Sequence, residues 1–154
     1  MVKKILKITG IVIAILLLVI YILFVHFSSP KSNSEVIDEF SDTNFLPIIK
    51  TNSYKGYEYR LLSMQKEIDT SKTTIVFVHG APGSLLDFKS YLADSLLNVK
   101  TNMISYDRIG YGFKDKNKVQ KSLVFEVEVL NDVLKNLDKK KTIIVGYSYG
   151  GPIA

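Results

Sequence analysis

A serine with a glycine two residues away on either side, near the end of the 154-residue chain, is the first candidate for chemistry. The apolar, β-branched run 142–145 leads into Gly146-Tyr147-Ser148-Tyr149-Gly150, which has the pattern Gly-x-Ser-x-Gly. A strand that ends on this pattern can turn sharply into a helix and expose the serine hydroxyl as a nucleophile. Gly146 and Gly150 suit such a turn because side chains there would collide with the neighbouring strand or helix. The alternative is a glycine-rich turn in which Ser148 is only structural.

Two further loops with chemically active side chains follow predicted strands. His79-Gly80-Ala81-Pro82-Gly83 follows the run 73–78, and a loop that starts with Asp107-Arg108 follows the run 101–106. The carboxyl ends of parallel strands meet at one edge of a sheet, where functional groups gather. We therefore expect all three loops to lie together.

The elements between these loops predict an α/β fold. Strand, helix, strand, helix, strand is the order typical of a mostly parallel sheet with helices on its faces. One helix should begin at Ser84, and another should run over 122–138. Apolar residues at helical spacing should place one face of each helix on the sheet: Leu85, Phe88, Leu92, Leu96 and Val99, then Leu123, Val127, Leu130, Leu134 and Leu137. Upstream, residues 45–50 and 57–63 predict a hairpin at the sheet edge.

An apolar segment near the N-terminus predicts a membrane anchor. Residues 8–27 carry no charge if His26 is neutral, and ~20 such residues form a helix that spans a membrane. The alternative is a cleaved signal peptide, which has a shorter apolar region and a small-residue cleavage site that is not found after Phe27. Lysines within residues 1–7 predict a cytoplasmic N-terminus, a single pass and export of the rest to the periplasmic or extracellular side. Residues 28–44 are polar and predict a linker between membrane and domain.

The overall composition argues against several other classes. The net charge is +5, and three of the basic residues precede the apolar segment. No basic stripe with interleaved aromatic residues is present, so the sequence does not predict nucleic-acid binding. The chain has no cysteine, which excludes disulfides, thiolate metal sites and a cysteine nucleophile. The glycine-rich patterns typical of nucleotide binding do not occur at the strand ends.

As a set, the three loops resemble the α/β-hydrolase fold family, specifically the N-terminal half of its common single-domain hydrolases. The resemblance covers residues 45–154, which we expect to form a partial α/β-hydrolase domain. It implies that Ser148 is the catalytic nucleophile, and that the backbone N–H groups of Ala81 and Tyr149 form the oxyanion hole. Serine at position 148 argues against the dehalogenases and epoxide hydrolases of the family, which use aspartate there.

The same resemblance implies supporting roles for the neighbouring residues. Gly146 and Gly150 would shape the turn, and His79 with Gly80 would organise the oxyanion loop. Asp107, together with Arg108, would hold the next loop by hydrogen bonds. Tyr147 occupies a position where the family often has histidine. No metal and no organic cofactor is implied.

The triad of this family is incomplete in the sequence. Its order is serine, then an acid, then a histidine, and the last two lie on later strands. The chain ends six residues after Ser148, and its two histidines are His26 and His79. We therefore expect the N-terminal part of a membrane-anchored serine hydrolase, truncated before the acid and the histidine, that cleaves a small-molecule ester or amide. The alternative is an inactive membrane-anchored fragment, or half of a two-chain hydrolase with a complementing C-terminal chain.

Overall fold

The computed structural model describes residues 2–112 and 118–154. Met1, in the predicted segment 1–7, and residues 113–117, in the predicted domain 45–154, lie outside the described residues. The helices are α1 Val2–Ser28, α2 Asn33–Asp38, α3 Lys89–Leu92, α4 Ser95–Lys100 and α5 Leu123–Leu134. The strands are β1 Ile48–Tyr54, β2 Tyr57–Ser63, β3 Thr73–Val78, β4 Thr101–Tyr106 and β5 Thr142–Gly146. Short 3₁₀ helices cover Leu85–Phe88, Lys139–Lys141 and Ser148–Gly150.

The strands form one mixed sheet in the order β1-β2-β4-β3-β5. β3 runs parallel to both β4 and β5, whereas β1 and β2 are antiparallel. Val78 is opposite Tyr106 on one side and Gly146 on the other, so the three parallel strands end level. This confirms the predicted α/β class and places the three loops at one edge.

Each face of the sheet carries its own apolar core. Alternate residues of β3 point to opposite faces: Val76 and Val78 pack towards α5, and Phe77 packs towards α2 and the 85–92 segment. The absence of polar alternation in this strand is explained by burial on both faces.

The hairpin was correctly predicted, but its first strand was placed too early. β1 covers Ile48–Tyr54 instead of 45–50, and the expected loop 51–56 shrinks to Lys55 and Gly56. Both residues have positive φ, 48° and 84°, which is the geometry of a two-residue turn that matches strand twist.

The prediction of one continuous helix from Ser84 to Val99 is wrong. A 3₁₀ turn and α3 are followed by a break, after which the Asp94 side chain caps α4. The break changes which side of the second half faces the sheet: Leu97 packs against the core and Asn98 is buried, whereas Leu96 and Val99 are exposed (71% and 67%).

Helix α5 begins after the predicted cap, Ser122, but ends at Leu134, before the predicted 138. Its predicted face is confirmed in part, since Leu130 is buried and Val127, Leu134 and Leu137 pack against the same core. Leu123 is 41% exposed, whereas Val129, Val133 and the carboxylate of Glu126 are buried. Lys139–Lys141 form a separate 3₁₀ turn capped by Asp138.

Part of the predicted linker 28–44 packs on the domain. Ser32 and Glu35 form a capping box at the start of α2. Val36 and Phe40 are fully buried in the same core as Phe77. Val36 lies in α2 and Phe40 lies in the turn directly after it, so this segment covers part of one sheet face.

Candidate active site

The turn after β5 holds Ser148 in a strained backbone conformation. Its φ is 52°, in the left-handed region that residues other than glycine rarely adopt. The Tyr147 N–H donates to the Val78 carbonyl oxygen (3.0 Å), which attaches the turn to β3. A Cβ at Gly146 would lie 2.6 Å from the Gly150 carbonyl carbon, and the backbone of β3 blocks a Cβ at Gly150 in the same way. The chain therefore folds back on itself more closely here than side chains allow.

The loop of residues 79–83 passes directly beside Ser148, and it is called the oxyanion loop below after the role that the family resemblance implies. A Cβ at Gly80 would lie 3.0 Å from the Ser148 Cβ and 3.2 Å from the Tyr147 carbonyl oxygen. Ala81 follows Gly80 and Tyr149 follows Ser148 in the chain, so both adjoin the two residues that approach each other here. The structure brings Ser148, Gly80, Ala81 and Tyr149 to one edge, as the sequence predicts.

His79 is fully buried and both of its ring nitrogens are engaged. Nδ1–H donates to the Gly80 carbonyl oxygen (2.7 Å), and Nε2 accepts from the Arg108 N–H (3.0 Å). Burial, with a smaller effect of the Arg108 charge, lowers the pKa of His79 to about 3. The ring is therefore neutral near pH 7, and its only basic nitrogen is occupied, so His79 holds the loop and is not placed to act as a base.

Asp107 lies behind the site as the centre of a buried ion pair. Arg60 of β2 contacts its Oδ2 through Nε and Nη2, each at 2.7 Å. The Leu85 N–H donates to Oδ1 (2.9 Å). Burial raises the pKa of the Asp107 carboxyl, and the Arg60 charge opposes that rise. Asp107 thus ties the start of the 107–112 loop to β2 and to the segment after the oxyanion loop.

Arg108 connects three loops and a helix. Its Nη2 donates to the Gly80 carbonyl oxygen (3.0 Å), and its Nη1 pairs with Oε1 of Glu126 in α5 (3.2 Å). The guanidinium also lies over the rings of Tyr111 and Tyr149, at 4.4 and 4.8 Å. One buried cation therefore contacts the oxyanion loop and the residue after Ser148.

Comparison with known proteins decides the family. The sequence model of the alpha/beta hydrolase fold matches residues 73–154, more than half of the chain. The chain belongs to the alpha/beta hydrolase fold family. A multifunctional-autoprocessing repeats-in-toxin of Vibrio vulnificus is 31% identical over 105 residues, which cover 64% of this hydrolase-fold chain and 2% of the toxin.

Several solved structures share the hydrolase fold. A membrane phospholipase A superposes with a TM-score of 0.62 at 14% identity, over 99% of this chain and 46% of that one. A thioesterase domain from the curacin biosynthetic pathway superposes with a TM-score of 0.55 at 16% identity, over 70% of this chain and 37% of that one. An epoxide hydrolase from Vigna radiata superposes with a TM-score of 0.55 at 14% identity, over 70% of this chain and 33% of that one. The chain therefore spans less than half of these solved proteins.

The sequence of this hydrolase-fold protein does not predict the contacts between side chains that are distant along the chain. Arg60 was read only as part of a strand, yet it is the partner of Asp107, 47 positions away. The pairing of Glu126 with Arg108 was not predicted, yet Glu126 is buried against that arginine. A charged residue in a strand and a glutamate within an apolar helix face were the only available signals. Within residues 2–112 and 118–154, no three His, Asp or Glu side chains cluster in a way that would hold a metal ion.

A groove lies between the end of α1 and the oxyanion loop. Its volume is about 740 Å³. Phe24 and Val25 line one side, and Pro82, Gly83 and Leu86 line another. Helix α1 contains a 21-residue stretch, Leu6–His26, that is long and apolar enough to cross a membrane, with a mean hydropathy of 3.2.

Proposed function

We propose that the chain provides the nucleophile and the oxyanion hole of a membrane-anchored serine hydrolase that cleaves an ester or amide. The observation that carries this proposal is the left-handed backbone of Ser148 at the end of β5, directly beside Gly80. A residue held at such a cost on a turn is expected where a side chain must be presented for chemistry.

In the proposed reaction, the Ser148 Oγ attacks the acyl carbonyl carbon and its proton passes to a histidine. The N–H groups of Ala81 and Tyr149 stabilise the oxyanion, and the leaving alcohol or amine takes the proton from the histidine. Water then releases the acid and regenerates the serine. His79 is unsuited to the task because both ring nitrogens are engaged. We propose that the histidine and its acid come from a further segment or from a complementing chain.

Anchoring through α1 is part of the same proposal. The stretch Leu6–His26 is exposed along its length and has the composition of a membrane span. Lys3, Lys4 and Lys7 at its start favour a cytoplasmic N-terminus and an exported domain. The phospholipase that superposes over nearly the whole chain is described as a membrane protein, which agrees with this arrangement.

The test is ester hydrolysis by membranes of the source cells, in which the protein is present as the cell makes it. Hydrolysis of a p-nitrophenyl butyrate ester should fall by ~10⁴-fold or more, to background, in the variant Ser148→Ala, because no other group can form the acyl intermediate. Ser95→Ala, an exposed serine on α4, is the matched control and should retain activity.

Equal hydrolysis by the two variants, at matched protein levels, would overturn the assignment of Ser148. Absence of hydrolysis in the unmodified protein, across ester and amide substrates, would favour the alternative of an inactive membrane-anchored fragment.

A further inference from the structure

We infer that the acyl substrate is an amphiphile that stays in the bilayer, and that its acyl chain reaches Ser148 through the groove between α1 and the oxyanion loop. This inference rests on the proposed function and on the anchoring role of α1. It names the substrate class and the direction of entry, which neither the triad chemistry nor the fold determines.

The first argument is that the domain is held close against the end of α1. Only residues 29–32 separate α1 from α2, and four extended residues reach at most ~14 Å. The Arg60 Nη1 donates to the Lys31 carbonyl oxygen (2.6 Å), so this short connection is itself fixed to β2. Val36 then anchors α2 in the core. The domain therefore cannot move far from the membrane surface.

The second argument is the composition of the groove walls. Phe24 and Val25 belong to the last turns of the apolar stretch, so one wall is continuous with the membrane-spanning surface. The facing wall contains Pro82 and Leu86, and Pro82 is two residues from Gly80, where an added Cβ would lie 3.0 Å from the Ser148 Cβ. A volume of about 740 Å³ falls in the range that holds ligands of substantial size. The groove thus leads from the end of the membrane-spanning surface to the loop that passes beside Ser148, although Ser148 itself is not among its lining residues.

The charge around the groove favours a neutral or zwitterionic head group. A neighbouring shallow depression shares Lys31, Glu39 and Lys89 with the groove. Its rim holds four carboxylates and two ammonium groups: Glu35, Asp38, Glu39, Asp42, Lys31 and Lys89. Excess negative charge at the rim disfavours an anionic lipid.

The entry route can be measured by fluorescence because the chain has no tryptophan. Single tryptophans are introduced as Leu86→Trp in the groove and Phe24→Trp in α1, and the full chain is placed in phosphatidylcholine vesicles with brominated acyl chains. Lys140→Trp is the control, at the amino ends of the parallel strands, ~20 Å from the groove edge. Lys89→Trp, on the groove rim, replaces Leu86→Trp if the latter does not fold.

We expect a loss of emission for Leu86→Trp comparable with that for Phe24→Trp, and none for Lys140→Trp. Quenching of Phe24→Trp alone would overturn the groove inference and leave the anchor intact. Absence of quenching at Phe24→Trp would overturn both.

Substrate preference gives a second, independent readout. With the protein in source-cell membranes and equal total substrate, apparent kcat/KM for a long-chain ester should exceed that for the butyrate ester at least about tenfold, since two more methylene groups raise partitioning into the bilayer, from which the groove is entered, by about that factor. A preference for the soluble butyrate ester, still dependent on Ser148, would overturn this inference and leave the proposed function standing.

Discussion

The two strands on either side of β3 differ sharply in their surroundings. On one side, β4 is buried almost throughout, and Ile104 is only 3% exposed. On the other side, β5 pairs with β3 alone among the described residues, and Ile143 is 53% exposed. The loop after β4 is held by buried ion pairs, whereas the Ser148 turn is attached to β3 through backbone contacts. The position of the candidate nucleophile is therefore determined mainly from the β3 and β4 side.

The largest effect should come from breaking the buried ion pair on the β4 side. Asp107→Ala leaves the Arg60 guanidinium buried without its carboxylate and should lower the free energy of unfolding by about 3–5 kcal/mol. Urea denaturation in detergent micelles measures the change. Lys55→Ala, which removes an exposed ion pair with Glu128, is the control and should show no measurable change. Equal losses of unfolding free energy in the two variants would contradict the contrast between buried and exposed ion pairs.

The two flanking strands can be compared with the same substitution. Ile104→Ala in β4 empties a buried position and should cost about 2–5 kcal/mol of unfolding free energy. Ile143→Ala in β5 removes a half-exposed side chain and should cost less than about 1 kcal/mol. A large loss at Ile143 in urea denaturation would mean that β5 is covered in the intact protein, which would reverse the comparison.

Acid should lower the free energy of unfolding through His79, whose ring accepts a hydrogen bond from Arg108 in the loop after β4. Its pKa is about 3 in the folded protein and near 6.5 when unfolded, so only the unfolded chain takes up the proton between these values. The stabilising contribution is complete above pH 6.5 and is lost as the pH falls towards 3, by about 2 kcal/mol at pH 5. The difference in unfolding free energy between the unmodified protein and His79→Gln should shrink accordingly from pH 7 to pH 5. A difference that is independent of pH would show that His79 can be protonated in the folded state.

The smallest change in unfolding free energy is expected at Glu39, whose exposed ion pairs contrast with the buried ion pair of Asp107. Hydrogen bonds from Lys31 and Lys89 lower the pKa of Glu39 to about 2. The stabilising contribution is therefore complete above pH 4.5 and is lost as the pH falls towards 2. Because the side chain is 30% exposed, solvent screening should limit the loss in Glu39→Gln to below about 1 kcal/mol at pH 7. A loss as large as that of Asp107→Ala would refute this ranking of exposed against buried pairs.

The sequence predicts the parallel strands well because 73–78 and 142–145 are β-branched runs, and because a loop with glycine or charged residues follows each of the three strands. It also predicts that Ser148 and Gly80 meet, since level strand ends bring their loops together. The break at Asp94 was missed because the helical spacing of apolar residues continues through it. The Asp94 cap starts a new helix there, and a different side of that helix faces the sheet.

The supports of the site could not be predicted, since they depend on contacts between distant parts of the chain. The pairing of Arg60 with Asp107 requires β2 to lie beside β4, an arrangement that no local pattern specifies. The contact of Arg108 with the Tyr149 ring likewise requires the loops after β4 and β5 to meet across β3.

The most direct test of the central claim is to locate the adduct of a fluorophosphonate probe, which reacts with activated serine nucleophiles. The protein is labelled in source-cell membranes, digested after lysine and arginine, and analysed by mass spectrometry. We predict that the adduct lies on the peptide that begins at Thr142, at Ser148, and is absent in Ser148→Ala. An unmodified Thr142 peptide, with the probe on another residue or on none, would contradict the assignment of Ser148 as the nucleophile.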